Sequence, residues 1–140
     1  MINRIIPLFL ITLITMTGCR FGNWSGIKGN GDLEREVREI EEFSKLDVSG
    51  AFNVELKIGD KSEVIIEADK NLLEYIQTNV KGNTLVIESR KNLKPKAGLQ
   101  IFVVTKQLDA IDCSGACDVD AIGIESDKFF ADVSGASHVT

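Results

Sequence analysis

The pentapeptide Asp-x-Ser-Gly-Ala occurs three times in this chain of 140 residues, as DVSGAFNVE at 47–55, DCSGACDVD at 112–120 and DVSGASHVT at 132–140. The last two copies begin twenty residues apart, and the first begins 65 residues before the second, close to three periods of about 21 or 22. A period near twenty with glycine turns is typical of one coil of a β-solenoid, whose coils stack about 4.8 Å apart. The repeat therefore predicts an all-β, right-handed parallel β-helix with coils of about 20 residues.

The copies also predict which positions face inward. The second position is small and apolar and should face the core: Val48, Cys113 and Val133. The seventh position is polar and variable and should face solvent: Asn53, Asp118 and His138. The shared glycine should mark a bend where a Cβ atom would clash or φ is positive. An antiparallel β-sandwich stays open as the alternative, because only two copies follow each other at a regular spacing.

The rest of the chain reads mainly as short strands. Four runs are apolar, β-branched and of strand length: residues 52–58, 63–68, 84–89 and 99–104. The run DKNLLEYI indicates one or two helical turns with Asp69 as N-cap. The segment LEREVREIEEF at 33–43 is ambiguous, since its apolar spacing suits a helix but it leads directly into a strand.

The N-terminus has the layout of an export signal. One basic residue is followed by the apolar run of IIPLFLITLITMTG, which is too short to span a bilayer. The run ends in MTGC, which resembles the lipobox of bacterial lipoproteins, so residues 1–18 are predicted to be a lipoprotein signal peptide and Cys19 the lipidation site. The alternative is an ordinary signal peptide with an incidental cysteine. Residues 19–32 are predicted to be a flexible tether, and an outer-membrane anchor is expected because Arg20 replaces the aspartate of a retention signal.

The net charge of the chain indicates which classes of partner it is suited to bind. The chain has a formal net charge of −5, which argues against nucleic acid as a partner, because phosphate binding depends on Lys and Arg. No basic amphipathic segment is evident that could lie on anionic lipid. The basic residues concentrate in SRKNLKPK at 89–96, away from the repeated aspartates.

The cysteines and the single histidine suggest metal or catalytic sites only weakly. Cys113 stands where the other copies have valine, so Cys113 and Cys117 are interpreted as buried or disulfide-bonded structural residues and not as metal ligands. Ser134 and His138 could be combined with an aspartate into a triad, but the other copies carry Asn53 and Asp118 in place of the histidine. We therefore predict no catalytic and no metal site.

The repeated aspartates are the strongest candidates for a binding site. Asp112 and Asp132 should lie on neighbouring strands about 5 Å apart, where their repulsion would raise one pKa or attract a cation. Asp118 and Asp120 add acids nearby, so Ca²⁺ is a candidate ligand. The simpler interpretation is that each aspartate accepts a hydrogen bond from its own turn, with no cofactor.

Three stretches resemble the head GIN domain family of autotransporter adhesins: residues 29–59, residues 66–89 and the Ser-Gly-Ala copies. The resemblance covers about Gly29 to Thr140, and it implies a secreted or lipid-anchored envelope protein of Gram-negative bacteria with a β-helix-like fold. Family members usually continue for several more coils. The resemblance therefore implies that residues 33–140 are a domain that is incomplete at its C-terminus.

Taken together, these features predict a non-enzymatic, lipid-anchored envelope protein. Its expected role is that of an adhesin or surface-binding module whose outer face meets a glycan or a protein. One alternative is a carbohydrate-active β-helix enzyme, which would need acids and a basic residue clustered in a groove. The other is an envelope scaffold that associates with itself through an uncapped C-terminal coil.

Overall fold

The computed structural model describes residues 25–140, and most of them lie in short β-strands. In chain order the strands are β1 (Ile27–Lys28), β2 (Leu33–Glu39), β3 (Lys45–Gly50), β4 (Asn53–Ile58), β5 (Glu63–Asp69), β6 (Ile76–Lys81), β7 (Thr84–Ser89), β8 (Leu93–Lys94), β9 (Leu99–Thr105), β10 (Ala110–Gly115), β11 (Asp118–Ile122), β12 (Phe130–Gly135) and β13 (His138–Val139). One 3₁₀ helix, Lys70–Tyr75, lies between β5 and β6. Within residues 25–140, no helix is long and apolar enough to cross a bilayer.

The strands form two large sheets, and β1 pairs with β8 beside them. Sheet I has the order β12-β10-β3-β7-β6, and sheet II has the order β13-β11-β4-β9-β5-β2. Both are mixed, because β6–β7, β5–β9 and β2–β5 are antiparallel pairs and the others are parallel. Alternate side chains of both sheets pack into one core, which includes Leu46, Val48, Leu85, Ile87, Val54, Leu56, Val64, Ile66, Ile101 and Val103. The architecture is sandwich-like.

The three repeat copies lie side by side in this fold. Asp112 pairs with Asp47 on one side and with Asp132 on the other, all on parallel strands of sheet I. The second half of each copy forms β4, β11 and β13, which are neighbours in sheet II. The copies therefore pair residue by residue, and each crosses from one sheet to the other at its Ser-Gly-Ala turn.

The β-helix prediction is wrong. It required the 65 residues between the first two copies to form three coils, yet Asp47 and Asp112 lie on directly paired strands. The intervening chain reverses direction instead: β6 returns on β7 through the turn at Gly82, and β5 runs antiparallel to β9. The result is two mixed sheets. The antiparallel sandwich kept as the alternative comes closer, although all the strand pairs that involve the repeat are parallel.

The predicted role of the repeat glycine is confirmed. Gly115 and Gly135 have φ of 104° and 80°, values that residues with a Cβ rarely adopt. A Cβ on Gly115 would lie 2.6 Å from the carbonyl oxygen of Gly50, and one on Gly135 would lie 2.4 Å from that of Gly115. Each copy stacks its turn directly on the turn of its neighbour, which leaves no room for a side chain.

Most of the strands and the helix predicted between residues 33 and 105 are present in the structure. The four predicted runs are strands β4, β5, β7 and β9, and the ambiguous segment forms strand β2. The helical run is a 3₁₀ helix with Asp69 at its N-cap position, as predicted, but the Asp69 side chain makes no capping hydrogen bond. Its carboxylate instead accepts hydrogen bonds from the backbone N–H groups of Gly31, Lys96 and Ala97, at 2.5, 2.8 and 3.1 Å.

Candidate functional site

An open groove of about 590 Å³ lies where β3, β10 and β12 begin. Its most regular feature is a row of three carboxylates, Asp47, Asp112 and Asp132, on neighbouring parallel strands. These side chains alternate along their strands with core residues, so they lie on the face of sheet I opposite the core. The spacing of adjacent strands places successive carboxylates about 5 Å apart.

The environment of this row perturbs one of its members. Partial burial raises the pKa of Asp47, and the negative charges of Asp112 and Glu88 raise it further, while Lys81 acts in the opposite direction. Burial and like charges raise a carboxyl pKa because they disfavour its ionised form, so Asp47 takes up a proton more readily than an isolated surface aspartate. The three neighbouring carboxylates concentrate negative charge and hydrogen-bond acceptors in the groove.

Hydroxyl groups and an aromatic ring flank the carboxylates. Ser49, Ser114 and Ser134 form a second in-register row two residues further along the same strands. On the other side of the row, Phe130 lines the groove with 69% of its surface exposed. A face that combines carboxylates, hydroxyls and an exposed ring can hydrogen-bond polar groups of a ligand and pack against its apolar face.

The two cysteines of the second copy are joined in a disulfide. Both side chains are fully buried, in line with the interpretation of Cys113 and Cys117 as structural residues. Because both sulfurs are used by the bond, neither is a thiolate available to a metal. Across residues 25–140, no three or more His, Cys, Asp or Glu side chains are grouped to hold a metal ion.

The remaining candidate residues are distributed over different sheets. Ser134 lies in β12 of sheet I, whereas His138 lies in β13 of sheet II, opposite Asp118. Asp118 and Asp120 belong to β11, where Asp120 pairs with Glu55, so they lie in sheet II and not in the sheet that carries Asp112. The oxygen-rich cluster suggested for Ca²⁺ is thus divided between the two sheets. Cys19 and the predicted signal peptide lie outside the described residues.

Sequence reasoning missed the aromatic part of the groove. Phe130 stands two residues before its aspartate, at the position that Lys45 and Ala110 occupy in the other copies. Variation at an outward repeat position was the available signal, because a large exposed phenylalanine at such a site is unusual. Thr84 was also missed, since it reaches the groove only through the pairing of β7 with β3.

A family model and several solved structures are similar to this chain. The family model described as "Putative auto-transporter adhesin, head GIN domain" matches residues 42–140. Among solved structures, a "putative adhesin" from Bacteroides fragilis is 24% identical with a TM-score of 0.75, over 81% of this chain and 55% of that one. A second "putative adhesin", from Parabacteroides merdae, is 18% identical with a TM-score of 0.70, over 78% of this chain and 47% of that one. Curated proteins give no significant match.

The two solved structures share a fold with this chain over part of their length. At identities below 25%, the two solved structures show a common fold and nothing about ligands. The chain spans about half the length of these structures. The groove at the start of β3, β10 and β12 must therefore be argued from its own residues.

Proposed function

Because the chain belongs to the family described as "Putative auto-transporter adhesin, head GIN domain", we propose that it is a non-enzymatic protein of the cell envelope that binds a surface glycan or protein. The observation that carries this proposal is the groove at the start of β3, β10 and β12, where the aspartate row lies beside the exposed ring of Phe130. Carboxylates that accept hydrogen bonds from hydroxyl groups, next to an aromatic face, suit a sugar ring. They also suit a polar peptide.

A binding assay with a cleavage readout tests the proposal. The protein is exposed to a panel of bacterial and host polysaccharides, and retention and new reducing ends are measured together. We expect retention without cleavage, and we expect Asp112→Asn combined with Phe130→Ala to weaken it at least tenfold. Asp60→Asn, in an exposed turn outside the groove, is the matched control and should bind like the parent.

The outcomes separate the alternatives. Release of new reducing ends would contradict the non-enzymatic proposal and favour a carbohydrate-active enzyme. Absence of both signals would contradict a glycan ligand and leave a protein partner. The enzyme alternative is weaker on geometric grounds. Among the described residues that line the groove, Lys45 is the only basic one, and none of the three aspartates stands apart from the other two as a separate general acid.

We also propose that the protein is held at the envelope through lipid on Cys19 after removal of residues 1–18. The lipobox-like MTGC and the preceding apolar run support this proposal. Growth with a labelled fatty acid should label the protein, and Cys19→Ser should abolish the label while Thr17→Ser should keep it. Labelling that persists in Cys19→Ser would contradict this site.

A second candidate role is self-association at one edge of the sandwich. β12 and β13 are the edge strands of the two sheets on this side, and a cleft of about 480 Å³ between them is lined by apolar residues including Phe129, Val133 and Val139. Val133 is 41% exposed there. Unpaired edges with exposed apolar side chains favour pairing with another strand.

Analytical ultracentrifugation over a range of concentrations tests this second role. If the edge associates, Val133→Lys should shift the protein toward monomer. Val37→Lys, on the edge strand β2 at the opposite side of sheet II, should not. A parent protein that stays monomeric at all concentrations would exclude the scaffold role for this chain.

A further inference from the structure

Two short segments that are far apart in the chain form a strongly basic surface at one end of the molecule. Residues 26–31 (GIKGNG) and 89–98 (SRKNLKPKAG) together contain five basic residues and no acidic residue: Lys28, Arg90, Lys91, Lys94 and Lys96. All five side chains are exposed. The whole chain has a formal net charge of −5, so this surface, which we call the basic end, is opposite in sign to the protein that carries it.

Backbone pairing holds the two segments together. In the parallel pair β1–β8, Lys28 lies opposite Lys94. The N–H of Ile27 donates to the carbonyl of Asn92 at 2.8 Å, and the N–H of Gly29 donates to the carbonyl of Lys94 at 2.9 Å. The five basic residues therefore belong to one folded surface, although no single segment of the sequence is a basic amphipathic element.

A buried carboxylate fixes the geometry of this end. Asp69 is fully buried, and its oxygens accept hydrogen bonds from the N–H groups of Gly31, Lys96 and Ala97. These donors come from both segments, so Asp69 joins them. Backbone N–H groups fill the hydrogen-bonding positions of this carboxylate. The carboxylate is buried, whereas the basic side chains of this end are exposed. Nearby on β2, Glu34 forms an ion pair with Lys70 at 3.0 Å.

The basic end is also where the N-terminal part of the chain enters the domain. Residue 26 already touches the 89–98 loop, because a Cβ on Gly26 would lie 2.8 Å from the carbonyl oxygen of Asn92. The longest apolar run of the sequence, within residues 5–15, precedes this entry point by about a dozen residues. Whether this run is retained or is removed to leave lipid on Cys19, the membrane-attached part of the chain ends within about a dozen residues of the basic side chains.

We propose that the basic end docks onto anionic phospholipid headgroups at a membrane surface. Clusters of four to eight Lys and Arg residues close to a membrane-associated segment bind anionic lipid electrostatically. Here the cluster is built from two segments whose backbones are hydrogen-bonded to each other, so its five exposed basic residues lie in one folded region. The proposal depends neither on the ligand of the groove nor on lipidation of Cys19.

Vesicle binding by the full chain tests the proposal. Vesicles of phosphatidylcholine alone are compared with vesicles that contain phosphatidylglycerol, at low and high salt. The triple variant Lys28→Gln, Lys91→Gln, Lys96→Gln removes charge from the basic end. The matched control is Lys57→Gln, Lys106→Gln, Lys128→Gln, which removes equal charge from exposed positions outside it. All variants keep residues 1–24, including Arg4 and Arg20, so differences between the variants on anionic vesicles report on the basic end.

The expected result is a clear preference for anionic vesicles that weakens as salt rises. Each neutralised lysine should reduce the affinity about fivefold, so the triple variant should lose about a hundredfold while the control changes less than twofold. Replacing the same three lysines by arginine should preserve the preference, and circular dichroism verifies that each variant is folded. Equal binding to both vesicle types, equal losses in the two Gln variants, or full competition by millimolar inorganic phosphate would overturn the proposal.

Discussion

Gly115 shows how one residue type can decide whether repeat copies fit together. Its φ of 104° is costly for any residue with a Cβ, and the place of that Cβ is occupied by the carbonyl oxygen of Gly50. Since the colliding atom belongs to the backbone of a paired strand, it cannot rotate away as a flexible side chain could. The glycine of the repeat is therefore a requirement of close stacking as well as of the turn.

We predict that Gly115→Ala destabilises the domain more than a control glycine with similar backbone. Gly123 also has positive φ, at 78°, but nothing lies within 4 Å of the position that a Cβ would take there. Gly123→Ala should cost about 1–2 kcal/mol for backbone strain alone. Gly115→Ala should cost about 1–3 kcal/mol more because of the added contact. Urea unfolding of both variants measures the difference, and equal costs would show that stacking imposes no extra constraint.

Asp69 leads to a pH prediction. Burial by itself would raise the pKa of this carboxyl, but the hydrogen bonds from the N–H groups of Lys96, Gly31 and Ala97 outweigh burial and hold the pKa below its ordinary value. A carboxyl with a depressed pKa in the folded state stabilises the fold above its unfolded pKa of about 3.9. That stabilisation is lost as the pH falls through the lower folded pKa.

Stability measured by urea unfolding between pH 2 and pH 7 tests this prediction. The parent should lose stability below about pH 4 more steeply than Asp69→Asn, because the variant has no carboxyl to protonate at this site. At neutral pH, Asp69→Asn should be clearly less stable than the parent. Asp60→Asn, in an exposed turn, should follow the parent curve. Parallel curves for the parent and Asp69→Asn would contradict the assigned role.

At the scale of elements, the three parallel strands β3, β10 and β12 carry like charges directly opposite one another. Asp112 is the central member, with a carboxylate on each side. Like charges on paired strands destabilise a sheet. The three neighbouring aspartates therefore lower the stability of the sheet. This is expected for a face used in binding and not for one optimised for stability.

We predict that Asp112→Asn stabilises the domain by about 0.5 kcal/mol at neutral pH and low salt, because it removes both repulsions of the row. The gain should shrink in high salt, where exposed charges are screened. The part of the gain that comes from Asp47 should also shrink as the pH falls through the raised pKa of Asp47, because protonation of Asp47 removes its charge. Thermal unfolding at two salt concentrations provides the measurement, and a loss of stability in the variant would count against net repulsion.

At the scale of the whole molecule, the groove and the basic end lie at opposite ends of sheet I. Strand β7 begins at Thr84, which lines the groove, and ends at Ser89, where the basic loop starts. Six strand residues separate the two regions by about 17 Å. A domain docked on a membrane through its basic end would therefore present the groove away from the bilayer.

We predict that vesicle binding protects one set of lysines from an amine-reactive reagent and leaves another set reactive. Lys28, Lys91 and Lys96 should be protected on anionic vesicles, since they belong to the basic end. Lys45, at the groove, should react as it does in solution. Mass spectrometry of the labelled peptides reads both sets in one sample. Protection of Lys45 equal to that of Lys91 would contradict the orientation.

What the sequence could predict depends on the range of the interactions involved. Alternation along residues 52–58 predicted a strand because burial on one face is a local pattern, and β4 confirms it. The pairing of Asp47 with Asp112 was not predictable from spacing, because 65 residues can form coils or hairpins with the same local signals. The turn at Gly82, which reverses the chain, was visible, but its effect on strand order was not.

Sites built from segments far apart in the chain could not be predicted either, because local patterns do not show which distant residues meet. Asp69 has the position of an N-cap in the sequence, but its partners Gly31 and Lys96 lie 38 and 27 residues away. Asp112 and Asp132 were predicted to be neighbours because their copies are twenty residues apart, but Asp47 was not predicted to lie beside them. Phe130, which completes the groove, does not repeat, and no periodic argument could have selected it.

The short pair β1–β8 gives the domain a mechanical property. If the groove holds a surface and the N-terminal segment is anchored, tension enters the fold at residue 25 and acts first on residues 27–31. These are held by two backbone hydrogen bonds to the 89–98 loop, two hydrogen bonds with the Asn71 side chain and the Asp69 contact with Gly31. These are fewer bonds than those of β2, whose seven residues pair with β5. Under load, residues 25–31 should peel away first and add about 20 Å of extension while the sandwich core stays intact. A cell held through this protein would be attached by a link that lengthens before it breaks.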